Sequence, residues 1–307
     1  MKILLTGVTG YVGGALAPRL ARDGHELRGI SRRPPAAVGD GGTIELVRAD
    51  AVSGEGLERA MDGIEVAYYL IHSMEPSADG PFDVRERAAA ENFARAAQRA
   101  GVRRIVYLGG PVPAERCLSP HLASRLAVEE VLLGATPDSV AFRASIMIGA
   151  RSRSFRFLVR LVERMPVVPI PAWKDNRTSP VDERDAMALL ARAATSDRVG
   201  GESLDMRGRD IVSYGELIER IRDLMLVGRP IIGIPRLTVT PIASRVASVI
   251  ASEAYELIGP LMESLNDDLL PRDDRAAELL GVRLHSLDAA IEYSLRQWEA
   301  VEPLRAR

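Results

Sequence analysis

Gly7, Gly10 and Gly13 are spaced three apart, between the apolar run Ile3-Leu4-Leu5 and the stretch Ala15 to Ala21. The run has the length and flanks of a buried parallel strand. In the stretch, Ala15, Leu16, Leu20 and Ala21 fall on one side of a helix. Strand, glycine-rich turn and helix form the setting in which such glycines bind a dinucleotide. Gly7 permits the tight turn, Gly10 lets backbone approach a pyrophosphate, and Gly13 lets the helix pack closely on the strand. The helix N-terminus then offers free N–H groups and the positive end of its dipole to the phosphates. Thr6, Gly7, Thr9, Gly10, Tyr11, Val12 and Gly13 are the cofactor-binding residues expected here. The spacing by itself, GxxGxxG rather than GxGxxG, is also compatible with an ordinary strand-to-helix turn.

The full string TGVTGYVGG resembles the cofactor fingerprint of the extended and atypical short-chain dehydrogenase/reductases, of the NmrA-like and NAD(P)H-binding kind. A second match is FRASIMIG, from Phe142 to Gly149. The resemblance covers most of 1–149 well, 178–217 loosely and the remainder in outline. It implies an α/β fold: a Rossmann doubly wound sheet of about six or seven parallel strands with helices on both faces, plus a smaller C-terminal substrate lobe. The expected division is an NAD(P)-binding Rossmann domain over 1–150 and a lobe over 151–307, interleaved with the Rossmann core around 176–217.

The elements that position the turn can be followed along the chain. A second strand, Glu26 to Ile30, leads into Ser31-Arg32-Arg33. An acid at this place bonds ribose hydroxyls in NAD-binding folds, whereas arginine suits a 2′-phosphate, so NADP(H) is the preferred cofactor, with NAD(H) the alternative. The other reading of Arg32 and Arg33 is a solvated surface pair. A third strand, Ile44 to Arg48, ends near Asp50 and Ala51; the resemblance makes Asp50 a neighbour of the adenine. Strand four, Glu65 to Ile71, brings Leu70, Ile71, His72 and Ser73 to its carboxyl end, where ligands sit in doubly wound sheets. A helix over Arg85 to Ala100 and a fifth strand over Arg104 to Leu108 follow, and the latter places Leu108 and Gly109 at the same edge.

The resembling family has a serine after strand five and a Tyr-x-x-x-Lys on the next helix. The tyrosine relays a proton to or from the substrate carbonyl, and the lysine holds the nicotinamide ribose. Here Gly109-Gly110 stand at the serine position, His121 at the tyrosine and Arg125 at the lysine. The chain has two lysines, Lys2 and Lys174, and neither completes the motif. Ser119 is a good N-cap and Pro120 suits the first helical position, so His121 and Arg125 lie four apart on one helix face. An imidazole can exchange a proton where a phenol would, and Arg125 can hold ribose hydroxyls or a phosphate. The same residues also fit a capped surface helix without chemistry. Strand six, Ser139 to Ile146, carries Arg143 and Ser145, which the resemblance sets against the nicotinamide side of the pocket.

Further on, Phe155 to Arg164 reads as helix and Met165 to Trp173, with three prolines, as an extended loop. Trp173 and Lys174 are candidates for the substrate wall. Helices are expected over Glu183 to Ala194, over Ser213 to Met225 with a Ser213/Glu216 capping box, and over Leu287 to Ala300. Leu237 to Leu265 has an apolar helical stripe interrupted by Arg245, Glu253 and Glu256. It suits core packing, a homodimer face or a membrane-surface helix.

Composition bounds the function. Of 307 residues, 47% are hydrophobic and 27% charged, the profile of a soluble globular protein. A formal net charge of −2 argues against nucleic-acid binding, which needs a basic surface. The lone cysteine, Cys117, forms no intramolecular disulfide, and no Cys/His spacing suggests a metal. A strand starting at Lys2 or Ile3 leaves no room for a signal peptide, and no apolar run is of membrane-spanning length, so a cytoplasmic location is expected. Two function classes remain: an NADP(H)-dependent oxidoreductase or isomerase on a small organic substrate, and a cofactor-binding redox sensor or accessory subunit without turnover.

Overall fold

In the computed structural model, which describes residues 1–33, 44–71, 81–112, 119–170, 172–233 and 267–304, apolar runs alternate with amphipathic helices from the start. The first half runs β1 (Lys2–Leu5), α1 (Tyr11–Arg22), β2 (Glu26–Ser31), β3 (Glu45–Arg48), α2 (Leu57–Met61), β4 (Val66–Tyr69), α3 (Phe82–Ala100), β5 (Arg104–Gly109), α4 (Pro120–Leu133) and β6 (Val140–Ala144). These six strands and β11 (Glu202–Met206) form one parallel sheet in the order β3-β2-β1-β4-β5-β6-β11. The chain winds outward from β1 in both directions, so the switch point of this Rossmann sheet lies between β1 and β4.

Alternation along the strands divides the core in two. Ile3 and Leu5 pack with Leu16 and Leu20 of α1 and with α6 (Glu183–Ala193). Leu4, Tyr69 and Tyr107 face the opposite way, against α2, α3 and α4. A third core belongs to the lobe, where Phe155, Leu158 and Val162 of α5 (Arg153–Arg164) meet Tyr214 and Leu217 of α7 (Tyr214–Leu224). Ile291 and Trp298 of the last helix, Leu287–Glu299, complete it. The predicted Ser213/Glu216 capping box is present at the start of α7.

Three readings of the sequence are corrected. The proline-rich 165–173 stretch is not all loop, because Val168–Ile170 pairs in parallel with Ile231–Gly233 and a 3-10 turn, Ala172–Asp175, follows. Val168 and Ile170 are buried while Pro169 points away, the edge placement that a residue without an N–H tolerates. Helix α3 begins at Phe82, a turn earlier than the apolar pattern suggests. The sixth strand breaks after Ala144; a separate β7 (Met147–Ile148) pairs with β10 (Val181–Asp182). The stripe over 237–265 lies outside the described residues. Among the described residues no helix is long and apolar enough to cross a membrane.

Arg104 fastens the base of the sheet. It is fully buried, and its guanidinium holds Asp138 at 2.7 Å while donating to the carbonyls of Ser196 at 2.7 Å and Val199 at 2.8 Å. The link from α6 to β11 is thereby tied to β5. Asp138 keeps Arg103 as a partner, but removing the buried guanidinium leaves the Ser196 and Val199 carbonyls without their donor, so Arg104→Ala is expected to cost about 2–5 kcal/mol. Urea unfolding would measure it, and a loss under about 1 kcal/mol would show that the tie is dispensable.

Candidate functional site

At the switch point the glycine turn is built by close approach. Gly7 adopts φ +60°, and a Cβ there would lie 2.9 Å from the Leu70 carbonyl oxygen at the end of β4. A Cβ on Gly13 would come within 2.3 Å of the Gly7 carbonyl oxygen, so α1 can rest on the turn only as glycine. Buried Thr6 clips the turn to β4: the Leu70 N–H donates to its Oγ1 at 2.6 Å, and its own N–H donates to the Tyr68 carbonyl at 3.0 Å. Gly10 caps α1 with no side-chain hydrogen bond, no acidic residue stands in the first turn, and Thr9 and Gly10 are exposed. Tyr11 and Val12 are half-buried. An open helix N-terminus above a cradle that any Cβ would fill fits a dinucleotide pyrophosphate.

The remaining strand ends lie along the same edge. Ser31 closes β2, its hydroxyl accepting from the Arg33 N–H at 3.3 Å. Arg32 and Arg33 stand exposed and make no ion pair among the described residues. Asp50, after β3, caps its own turn by accepting the Val52 N–H at 2.8 Å. Ala51 is buried, and its carbonyl accepts from Asn92 at 3.1 Å. Leu70 and Ile71 end β4 half-buried, Leu108 and Gly109 end β5, and His72 and Ser73 lie outside the described residues.

On the α4 side, the Ser119 hydroxyl accepts the Leu122 N–H at 3.3 Å, as an N-cap should, and His121 and Arg125 share one face. The His121 ring lies 5.9 Å from Phe82 of α3. Arg125 is buried. Its guanidinium donates to the Tyr107 hydroxyl at 3.4 Å, and that hydroxyl donates to the Arg125 carbonyl at 3.3 Å. Burial pushes the Tyr107 phenol above its ordinary range. A Cβ at Gly109 would lie 2.7 Å from the Tyr107 ring, whereas one at Gly110 would meet the Leu122 Cδ2 at 3.2 Å. Arg143 is gripped by Glu129 at 2.5 Å, a carboxylate that also accepts from Ser203 at 2.6 Å. This pairing raises the Arg143 pKa. The Ser145 hydroxyl donates to the Ser179 carbonyl and accepts from Thr178, both at 3.1 Å.

Sequence reasoning missed two groups. Tyr11 donates to Glu183 at 2.5 Å, linking the glycine turn to the first residue of α6. Burial, then the neighbouring carboxylate, push the Tyr11 phenol up, and burial raises the Glu183 carboxyl. Gly149 makes room for this pair, since a Cβ there would lie 2.1 Å from both oxygens. No local signal marks Glu183, which lies 172 residues from Tyr11. The second group is Glu86, buried on α3, whose carboxylate accepts from Ser124 at 3.0 Å. It occupies the apolar stripe of Ala89, Ala90, Phe93 and Ala97, a placement visible in the sequence. Asp182, Asp185 and His285 bring ligand-type atoms within 4.8 Å of one another. Arg184 already holds Asp182 at 2.5 Å and His285 holds Asp185 at 2.6 Å.

Residues 7–116 match the NAD(P)H-binding family. The chain is 25% identical over 280 residues to a ceramide reductase of Caulobacter vibrioides, covering 90% of this chain and 88% of that protein. It is 24% identical over 227 residues to the NADH dehydrogenase [ubiquinone] 1 alpha subcomplex subunit 9 of Arabidopsis thaliana, covering 71% of this chain and 56% of that one. The fold is shared with the Citrobacter sp. triphenylmethane reductase complexed with NADP(H). The TM-score there is 0.71 at 16% identity, over 96% of this chain and 100% of the other.

The Tyr11–Glu183 contact can be tested by crowding and by pH. Gly149→Ala is expected to destabilise the fold by about 1–3 kcal/mol, as overpacking does, in urea unfolding. Folding raises the Glu183 pKa, so its contribution is intact below the unfolded value and is lost as pH rises through the folded value. Glu183→Gln should escape that loss and gain on the parent chain as pH rises from the ordinary carboxylate range upward. A constant difference across that range would show that the carboxyl ionises freely.

Proposed function

We propose that this chain is an NADP(H)-dependent oxidoreductase or isomerase acting on a small organic substrate. The observation that carries the reading is the glycine cradle at the β1/β4 switch point, with Arg32 and Arg33 exposed directly after β2. Similarity to a ceramide reductase over most of both chains favours reduction over isomerisation. In this reading the backbone of 7–13 and the start of α1 hold the pyrophosphate, Arg32 holds the 2′-phosphate, and Asp50 borders the adenine. Bound cofactor supplies or accepts a hydride at its nicotinamide. His121 delivers or removes the accompanying proton at the substrate oxygen, and Arg125 orients the nicotinamide ribose. The lobe over 151–307 closes over the strand ends as the substrate wall. We place the protein in the cytoplasm.

A second reading is a cofactor-binding redox sensor or accessory subunit without turnover. It is favoured by the Tyr107 ring beneath Gly109, which a side chain there would have to displace, and by similarity to a respiratory NADH dehydrogenase subunit.

Fluorescence titration with NADPH and NADH, repeated on Arg32→Ala, tests the cofactor assignment. Losing a charge-assisted contact should weaken NADPH on the order of tenfold or more and leave NADH unchanged. Equal affinities for the two cofactors in the parent chain would sink the NADP(H) preference. With a substrate found by screening under NADPH, His121→Ala should lose turnover while keeping cofactor affinity. Unimpaired turnover would move the chain's proton donor elsewhere.

A further inference from the structure

The first two turns of α3 and α4 run side by side and match rung for rung. Phe82 faces His121 across 5.9 Å between ring centroids. Four residues on in each helix, Glu86 faces Arg125 across 3.9 Å, and Ser124 also donates to Glu86. Both helices start at the carboxyl edge of the sheet, one following β4 and the other β5. At 1.5 Å of rise per residue, these side chains lie within about 10 Å of that edge. Tyr107 reaches the same guanidinium from β5.

Taking two charges out of water costs several kcal/mol per ion, and only close, well-bonded contacts offset it. The pairs Arg104–Asp138 and Arg143–Glu129 of this chain close to 2.7 Å and 2.5 Å. Glu86 and Arg125, with side chains only 4% and 8% exposed, meet at 3.9 Å. This ion pair stands at the carboxyl edge in register with His121, with the Ser124 hydroxyl on its carboxylate and the Tyr107 hydroxyl on its guanidinium.

We propose that Glu86 and Tyr107 are positioning residues that aim the Arg125 guanidinium at the nicotinamide ribose of bound cofactor. Glu86 balances the buried cation and fixes one side of it; the Tyr107 hydroxyl fixes the other and ties it to the α4 backbone. Arg125 thereby replaces a lysine whose single ammonium would need no such bracket, because a planar guanidinium presents its donors in one plane only. The inference rests on the NADP(H) reading above.

The test compares two ligands by calorimetric titration: NADPH, and adenosine 2′,5′-bisphosphate, which lacks the nicotinamide half. Glu86→Gln should weaken NADPH about tenfold and leave the bisphosphate within about twofold. Tyr107→Phe should do the same more mildly. Both effects should vanish in an Arg125→Met background, since they act through that residue. Equal weakening of both ligands, unchanged NADPH affinity, or full additivity with Arg125→Met would overturn the proposal. Should Glu86→Gln fail to fold, Tyr107→Phe, which removes one hydroxyl, carries the same comparison. A parent chain that binds neither ligand would overturn the cofactor reading itself, a result distinct from any of these.

Discussion

The contact between Gly13 and the Gly7 carbonyl is the constraint on which the site depends. With 2.3 Å from that oxygen to a Cβ, α1 sits directly on the turn, and its axis is aimed at the gap between β1 and β4. The same approach leaves Gly10 as an uncapped helix start, so the N–H groups that a capping side chain would satisfy are left for a ligand. Thr6 and Leu70 lock the turn to β4, which makes the cradle a property of two strands and not of one loop.

Around this cradle the chain uses contacts far apart in sequence to hold its second half in place. Tyr11 reaches from the first residue of α1 to Glu183, and the β7–β10 pairing brings α6 to the same edge. Strand β11 then returns to the sheet beside β6, and Arg104 anchors the connection at the opposite end. The lobe core of α5, α7 and the final helix meets the Rossmann unit at the carboxyl edge, through Ile146 and Ile148.

At Gly109, His121 and Arg125, which the resemblance aligns with a serine, a tyrosine and a lysine, packing sets the surroundings. The Tyr107 ring takes the space a side chain at Gly109 would need, and its hydroxyl turns to Arg125. Glu86 supplies the counter-charge from α3. Gly109 and Arg125 are therefore parts of one arrangement, with a larger residue below the strand end and a larger cation on the helix.

Local pattern was enough for the elements with strong periodicity. The strand Ile3 to Leu5, the glycine turn, the helix ending at Gly101 and the capping box at Ser213 can all be read from neighbouring residues, because their causes lie within a few positions of each other. Glu86 was missed, although a charge on an apolar stripe is a local signal; its partner Arg125, on another helix, carries no such mark. The pairing of Val168–Ile170 with Ile231–Gly233 escaped local reading because it lies between segments some sixty positions apart, and three prolines obscured one of them. The sequence by itself determined a dinucleotide turn on a parallel sheet, since strand, glycine spacing and helix are short-range features. Only the tertiary structure decided that Tyr11 meets Glu183, that the Tyr107 ring lies beneath Gly109 and that Glu86 faces Arg125. Those contacts arise where separate helices and strands are pressed together in one core, and their geometry has no counterpart in local spacing.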